Sequence, residues 1–200
     1  AATRAMDAAV AATRAHDVDA AVAHFAPDAV FEDRRRIFGD PVIGRDGLAP
    51  RLQQLRDQYT AAEFHTVAVR GDRLVLLWIR YSDDSGNLSE QYQVVETGGD
   101  SRIRYACQFD AEDFDAAYRE LDARYLAGEG QPFAAHGRTF ARFFEAMDRL
   151  DVDAARELCT SNFTWSAPLS TFAAPQRTLD EFFDWAIERA RQFSSVRIYG

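Results

Sequence analysis

The pentapeptide Asp17-Val18-Asp19-Ala20-Ala21 returns unchanged as Asp151-Val152-Asp153-Ala154-Ala155. At the same separation Phe38 aligns with Phe172 and Pro41 with Pro175, whereas Asp33 aligns with Ala167. An internal repeat constrains architecture more than any local pattern, because each copy must form the same supersecondary unit. The second copy is short: Gly200 aligns with Thr66, so nothing after Thr66 has a counterpart. The expected organisation is one domain over residues 1–127, a linker over 128–135 and a partial second repeat over 136–200. Gly128-Glu129-Gly130-Gln131-Pro132 supplies the turn-rich linker. The chain opens on Ala1 rather than a methionine. With the half repeat, this sets the expectation of a piece of a longer protein.

A hydrophobic content of 47% over 200 residues is enough to bury a sizeable core. The net charge of −9 argues against a nucleic-acid binder, which carries a basic stripe for phosphates, and against attraction to anionic membranes. No apolar run approaches the roughly 20 residues a membrane-spanning helix needs. The first residues lack the basic start and apolar stretch of a signal peptide. Cys107 and Cys159 stand far apart in no metal-type spacing, so a reducing, cytoplasmic setting is expected.

Apolar periodicity predicts a helix over 3–15 from Met6, Ala9, Val10 and Thr13, and a short helix from Val18 to Phe25 ended by Pro27-Asp28. A strand over 29–35 and a third helix marked by Leu48, Leu52, Leu55 and Tyr59 follow. Strands are then expected over 62–69, 73–81, 89–96 and 102–109, separated by Asp83-Asp84-Ser85-Gly86-Asn87 and Gly98-Gly99-Asp100. Asp110 is expected to cap a helix striped by Phe114, Ala117, Tyr118, Leu121 and Tyr125, with Gly128 as its stop. In the second copy, Phe140, Phe143, Phe144 and Met147 stripe a helix. Residues 153–159 read as a short helix and Phe163 to Ala167 as a strand. Leu179, Phe182, Phe183, Ala186 and Phe193 stripe a last helix before a strand over 195–199.

Helices followed by a run of antiparallel strands describe an α+β domain. The segment Phe25-Ala26-Pro27-Asp28-Ala29-Val30-Phe31-Glu32-Asp33, with Ile43-Gly44-Arg45-Asp46, resembles the strand opening and helix entry of the NTF2-like superfamily, which includes SnoaL-like polyketide cyclases and ketosteroid isomerases. The resemblance covers residues 1–126 and, as a half, 136–200. It implies a cone of curved sheet backed by helices. A narrower match, through Glu32-Asp33-Arg34-Arg35 and Leu121 to Gly130, resembles tandem NTF2-like repeats at the C-termini of large actinobacterial regulatory proteins of the cyclase or ATPase type.

The resemblance implies that Asp33 stands where an isomerase keeps its general base, a carboxylate tuned by an apolar surround. It also implies two donors for an enolate oxygen: a tyrosine on the first helix, where this chain has a residue near Ala9, and a late-strand acid, where it has one near Gln93. The alternative role for Asp33 is an ion pair with the adjacent Arg34-Arg35-Arg36 run, itself balanced by Glu32, Asp33 and Asp40. The pleat separates two strand faces. One carries Leu77, Ile79, Tyr81, Gln91, Gln93, Ala106, Gln108 and Asp110. The other carries Leu74, Leu76, Trp78, Tyr92, Val94, Ile103, Tyr105, Cys107 and Phe109. The resemblance puts the first set inside the cone and leaves the aromatic set as a dimer interface, whereas simple burial would put the aromatic set against helices.

The expected pocket is therefore Asp33, His65, Ile79, Tyr81, Gln91, Gln93, Gln108 and Asp110. His16, His24, His65 and His136 have no metal-ligand spacing, Cys107 has no neighbouring base, and no phosphate loop or nucleophile elbow occurs, so no metal or cofactor is expected. Three functions remain. The first is a non-catalytic ligand-binding or dimerisation module of a larger regulatory protein. The second is a small-molecule isomerase, cyclase or lyase with Asp33 as base and Gln93 or Tyr81 orienting substrate. The third is a closed cone acting only as a dimerisation wedge. The expected partners are a small hydrophobic or aromatic ligand and a second copy paired through the sheet, as a homodimer or an intramolecular pseudo-dimer.

Overall fold

The computed structural model describes residues 2–15, 17–36, 41–166 and 177–190. His16, Phe38, Asp40, Ala167, Phe172, Pro175, Phe193 and the strand expected over 195–199 lie outside them. The chain forms two compact units, Ala1–Gln131 and Pro132–Gly200.

The first unit opens with helices α1 (Ala2–Arg14) and α2 (Val18–Ala23). Asp17 caps α2 by accepting from the Ala20 amide at 2.9 Å. Strand β1 (Phe25–Asp33) starts four residues earlier than its predicted strand, because Pro27 does not end a helix but sits in a strand irregularity. Phe25 pairs with Ile103 and Val30 with Tyr105, so β1 carries extra residues at Pro27 and Asp28, where a residue without an N–H is tolerated. Strand β2 (Val42–Ile43) pairs with β1, and Gly44, at φ +81°, turns the chain into α3 (Arg45–Gln58).

A meander follows: β3 (Ala61–Arg70), β4 (Leu74–Ser82), β5 (Leu88–Thr97) and β6 (Ile103–Asp110). The turn before β5 is held by Asp83, whose carboxylate accepts from the amides of Ser85 and Asn87, both at 2.9 Å. The six strands run β2-β1-β6-β5-β4-β3, with β1 parallel to β6 and the other pairs antiparallel. Register shifts that put extra residues in β1, β3 and β6 bend the sheet. Helix α4 (Phe114–Ala127) starts at Asp113 rather than at the expected Asp110, which is the last residue of β6.

Two cores result. On the concave face, Met6 and Ala9 of α1 and Leu48 of α3 pack on Phe31, Val75, Leu77, Ile79, Val95 and Ala106. On the other face, Leu74, Leu76, Val94, Tyr105, Cys107 and Phe109 pack under Ala117 and Leu121 of α4. The aromatic face expected to be left for a dimer is thus covered by the chain's own helix. Ile103 moves to the concave core, because the shift between Glu96 and Thr97 reverses its parity.

The second unit contains α5 (Ala134–Asp148), which begins inside the segment expected as linker, then α6 (Val152–Glu157), β7 (Thr164–Trp165), β8 (Arg177–Thr178) and α7 (Leu179–Ala190). Asp151 caps α6 through the Ala154 amide at 3.2 Å, as Asp17 caps α2. Ala146, Ala155, Phe182 and Phe183 form its core.

Leu121 is fully buried between α4 and the sheet. Leu121→Ala should cost about 2–5 kcal/mol, read as a lowered urea midpoint by circular dichroism. A change near zero would mean that α4 is not packed on this face.

Candidate functional site

The concave face gathers the polar residues of the meander in one place. Register puts Asp33 beside Gln108, Gln108 beside Gln93, and Gln93 beside Leu77, so these side chains share a face. Asp33, Gln91, Gln93 and Gln108 are all buried. Asp33 is held by three donors. The Arg35 guanidinium bonds both carboxylate oxygens, at 2.9 and 2.7 Å, and its backbone amide bonds Oδ1 at 3.1 Å. Arg51, reaching from α3, bonds Oδ2 and stacks 4.6 Å from the Phe31 ring. Burial works to raise the Asp33 pKa, but hydrogen bonding and charge from Arg35, with the charge of Arg51, outweigh it and leave the pKa below the ordinary 3.8.

Arg35 also donates from Nη1 to Gln91 Oε1 at 2.6 Å, which fixes the orientation of that amide. Among the described residues, the buried Gln91 Nε2 has no hydrogen-bond partner. Burial pushes the Tyr81 hydroxyl up to about 12, with Arg35 and Arg51 opposing.

Two adjoining cavities lie between the helices and the sheet. The inner one, about 50 Å³, is walled by apolar side chains such as Met6, Phe31 and Val95, with Arg51, Gln93 and Gln108 as its polar members. The outer one, about 220 Å³, is lined by residues of α1, α2, α3, β3 and β4. Thr13, Leu52, Leu55 and Tyr81 line both.

Of the expected pocket residues, Tyr81, Gln93 and Gln108 line the inner cavity. Asp33, Ile79 and Gln91 lie on the same face, packed behind it. His65 does not belong there: it pairs with Trp78, is exposed and rests 5.3 Å from the Trp78 ring on the convex face. Asp110 sits at the end of β6, where it accepts from the Arg36 amide at 3.1 Å. The three arginines of the run go to different acids: Arg34 to Glu32 and Glu120, Arg35 to Asp33, and Arg36 to Asp110. Cys107 is buried on the convex side, and burial pushes its thiol up to about 11, which removes it as a nucleophile. Among the described residues no group of histidine, cysteine and acidic side chains is placed to hold a metal ion.

Sequence reasoning missed Arg51, Arg14, Arg56 and Tyr59. Arg51 had a signal: it falls on the Leu48, Leu52 and Leu55 stripe, where a charge needs a buried partner.

A six-stranded curved mixed sheet with helices over its concave face is the α+β cone expected of an NTF2-like domain. The model of the SnoaL-like domain family matches residues 6–119, more than half of the chain, and the chain belongs to that family. Similar solved structures include RV0760c from Mycobacterium tuberculosis in complex with estradiol-17beta-hemisuccinate, at 16% identity, covering 54% of this chain and 91% of that one, with a TM-score of 0.46. A computationally designed 17-OHP binder is 14% identical, with 54% and 89% covered and a TM-score of 0.47. A ketosteroid isomerase-like protein from Erwinia carotovora atroseptica is 12% identical, with 55% and 93% covered and a TM-score of 0.41. No curated protein matches the chain. No helix among the described residues is long and apolar enough to cross a membrane.

The pairing of Asp33 has a pH consequence. Its folded-state pKa lies below the unfolded value, so its contribution is present above that unfolded value and lost as pH falls through the folded one. Asp33→Asn leaves two guanidiniums on a neutral amide and should cost about 3–5 kcal/mol near neutrality. The gap between wild type and variant should close as urea unfolding is repeated at progressively more acidic pH. A gap that stays constant with pH would mean that Asp33 is not ionised in the folded protein.

Proposed function

We propose that this chain is a small-molecule binding module of the SnoaL-like family and not a proton-transfer enzyme. The observation that carries this reading is the double clamp on Asp33. A general base needs a lone pair aimed at substrate and a pKa near the working pH. Asp33 offers neither: Arg35 and Arg51 take its oxygens and depress its pKa. The helix position that the resemblance assigns to an oxyanion tyrosine falls near Ala9, and the late-strand position near the neutral Gln93. What remains is an apolar hollow with a few convergent polar groups, the usual form of a binding site.

We also read the second unit as a divergent copy of the first unit's opening half. Its support is the shared order of helix, short helix, paired short strands and helix, with the caps Asp17 and Asp151 and the buried alanines Ala21 and Ala155 in matching places. On that reading the chain is a tandem module of the kind that serves regulatory proteins, with ligand occupancy as its signal.

The test pairs binding with turnover. Ligand-observed NMR against a panel of single-ring aromatics and enones should detect binding. The same enones should isomerise no faster with protein than in buffer. Isomerisation with an acidic limb in its pH profile, abolished by Asp33→Asn in a variant that stays folded, would overturn the non-catalytic reading.

A further inference from the structure

We propose that the outer cavity is a site for a small aromatic carboxylate, with its ring against Tyr59 and Tyr81 and its anionic group held at the rim by Arg14 and Arg56. The inference rests on the binding-module reading and specifies the ligand.

Size comes first. Drug-sized ligands occupy pockets of about 300–1,000 Å³. The outer cavity, at about 220 Å³, is smaller and matches a single-ring molecule. The inner cavity, at about 50 Å³, has room for little more than water-sized groups, so the ring belongs in the outer one.

The walls set the chemistry. Val18, Ala21, Leu52, Leu55 and Ala62 make the apolar surface. Tyr59 and Tyr81 stack on each other, with centroids 5.4 Å apart and planes 29° apart, so an aromatic surface already lines the chamber. The threonine hydroxyls on the walls are committed within the protein. Thr13 donates its hydroxyl to the Ala9 carbonyl at 2.8 Å, and Thr60 donates to Asp84 at 2.9 Å. Among the described residues the one acid on the walls, Asp17, is engaged in capping α2.

The two guanidiniums are the cationic groups on the walls. Arg14 is exposed and donates to the Ala62 carbonyl at a long 3.4 Å. Arg56 is exposed and meets the neighbouring Asp57 at 3.6 Å. Each guanidinium carries five N–H donors, so it can keep its contacts within the protein and still present donors to a ligand at the rim. Two cations against one acid on the walls favour an anion, and a guanidinium matches a planar carboxylate in two parallel bonds. A neutral or cationic ring would leave that match unused.

The test is titration of the full chain with benzoate, benzamide and benzylamine by NMR shift or calorimetry at low and high salt. Benzoate should bind about tenfold more tightly than benzamide, benzylamine should be weakest, and salt should erode the benzoate advantage. Arg14→Gln and Arg56→Gln should each lower benzoate affinity several-fold and leave benzamide unchanged. Leu52→Trp, which fills the chamber, should abolish both. Equal affinity for benzoate and benzamide, both lost in Leu52→Trp, would overturn the carboxylate assignment and leave the binding module standing. Absence of binding by all three probes to wild type, with the same null result from the ligand panel above, would overturn both.

Discussion

The ion cluster of Asp33 with Arg35 and Arg51 is the constraint on which the first unit's interior depends. Asp33 ends β1, Arg35 follows it, and Arg51 comes from the middle of α3. The cluster therefore ties the helix that roofs the cone to the strand that closes its parallel edge. A buried ion pair gains little over a well-packed apolar contact, because desolvation consumes most of the Coulomb attraction. Its value is directional. Arg35 bonds both oxygens of Asp33 and Arg51 adds a bond to Oδ2, so the carboxylate sets where the middle of α3 meets β1; Leu52 and Leu55, further along the same helix, line the cavities with Tyr81. The group that most resembles a catalytic base is, on this account, a structural tie between β1 and α3.

The convex face works by a different device. Arg124 lies 3.1 Å over the Tyr105 ring and bonds Glu96 and Glu120 at 2.8 and 2.7 Å, while Tyr105 donates to Glu32 at 3.0 Å. Arg34 bridges Glu32 and Glu120. These links fasten α4 across β1, β5 and β6, above a layer of Leu76, Val94 and Cys107 that is sealed from water. Polar ties over an apolar layer fix where the helix sits along the sheet, which apolar contact alone leaves loose. α4 covers the β4, β5 and β6 part of this face, whereas His65 and Val67 of β3 stay exposed.

Much of this was legible in the sequence because the signals were local. β5 runs Leu88–Thr97 against an expected 89–96, since turn residues bound an alternating pattern on each side. The assignment of Gln91, Gln93, Gln108 and Tyr81 to one face needed only parity. The failures came where parity breaks or where partners are distant. Ile103 changed face at an irregularity that no residue type announces. Pro27 looked like a helix stop because its tolerance in β1 depends on a bulge formed with β6, far along the chain. His65 was assigned inward without a register, and its pairing with Trp78 settles it outward. Arg51 could be flagged as a charge on an apolar stripe, but that Asp33 is its partner depends on how α3 crosses β1.

The repeat itself argues that the clamp and the hollow belong together. At the separation that aligns Asp17 with Asp151, Asp33 aligns with Ala167 and Arg51 with Trp185, so both ends of the tie are replaced by apolar residues in the second copy. The small residues Ala9, Ala29 and Ala49 align with Phe143, Phe163 and Phe183. Those rings pack into one cluster: Phe143 lies 6.4 Å from Phe183, and Phe163 lies 5.4 Å from Phe182. Large side chains thus stand in the second unit where the first has methyl groups along its helices and strand. A copy that fills its interior with aromatic rings has no need of a buried carboxylate to tie a helix to the sheet. The replacement of Asp33 and Arg51 at the aligned positions thus goes together with an aromatic core in the second unit.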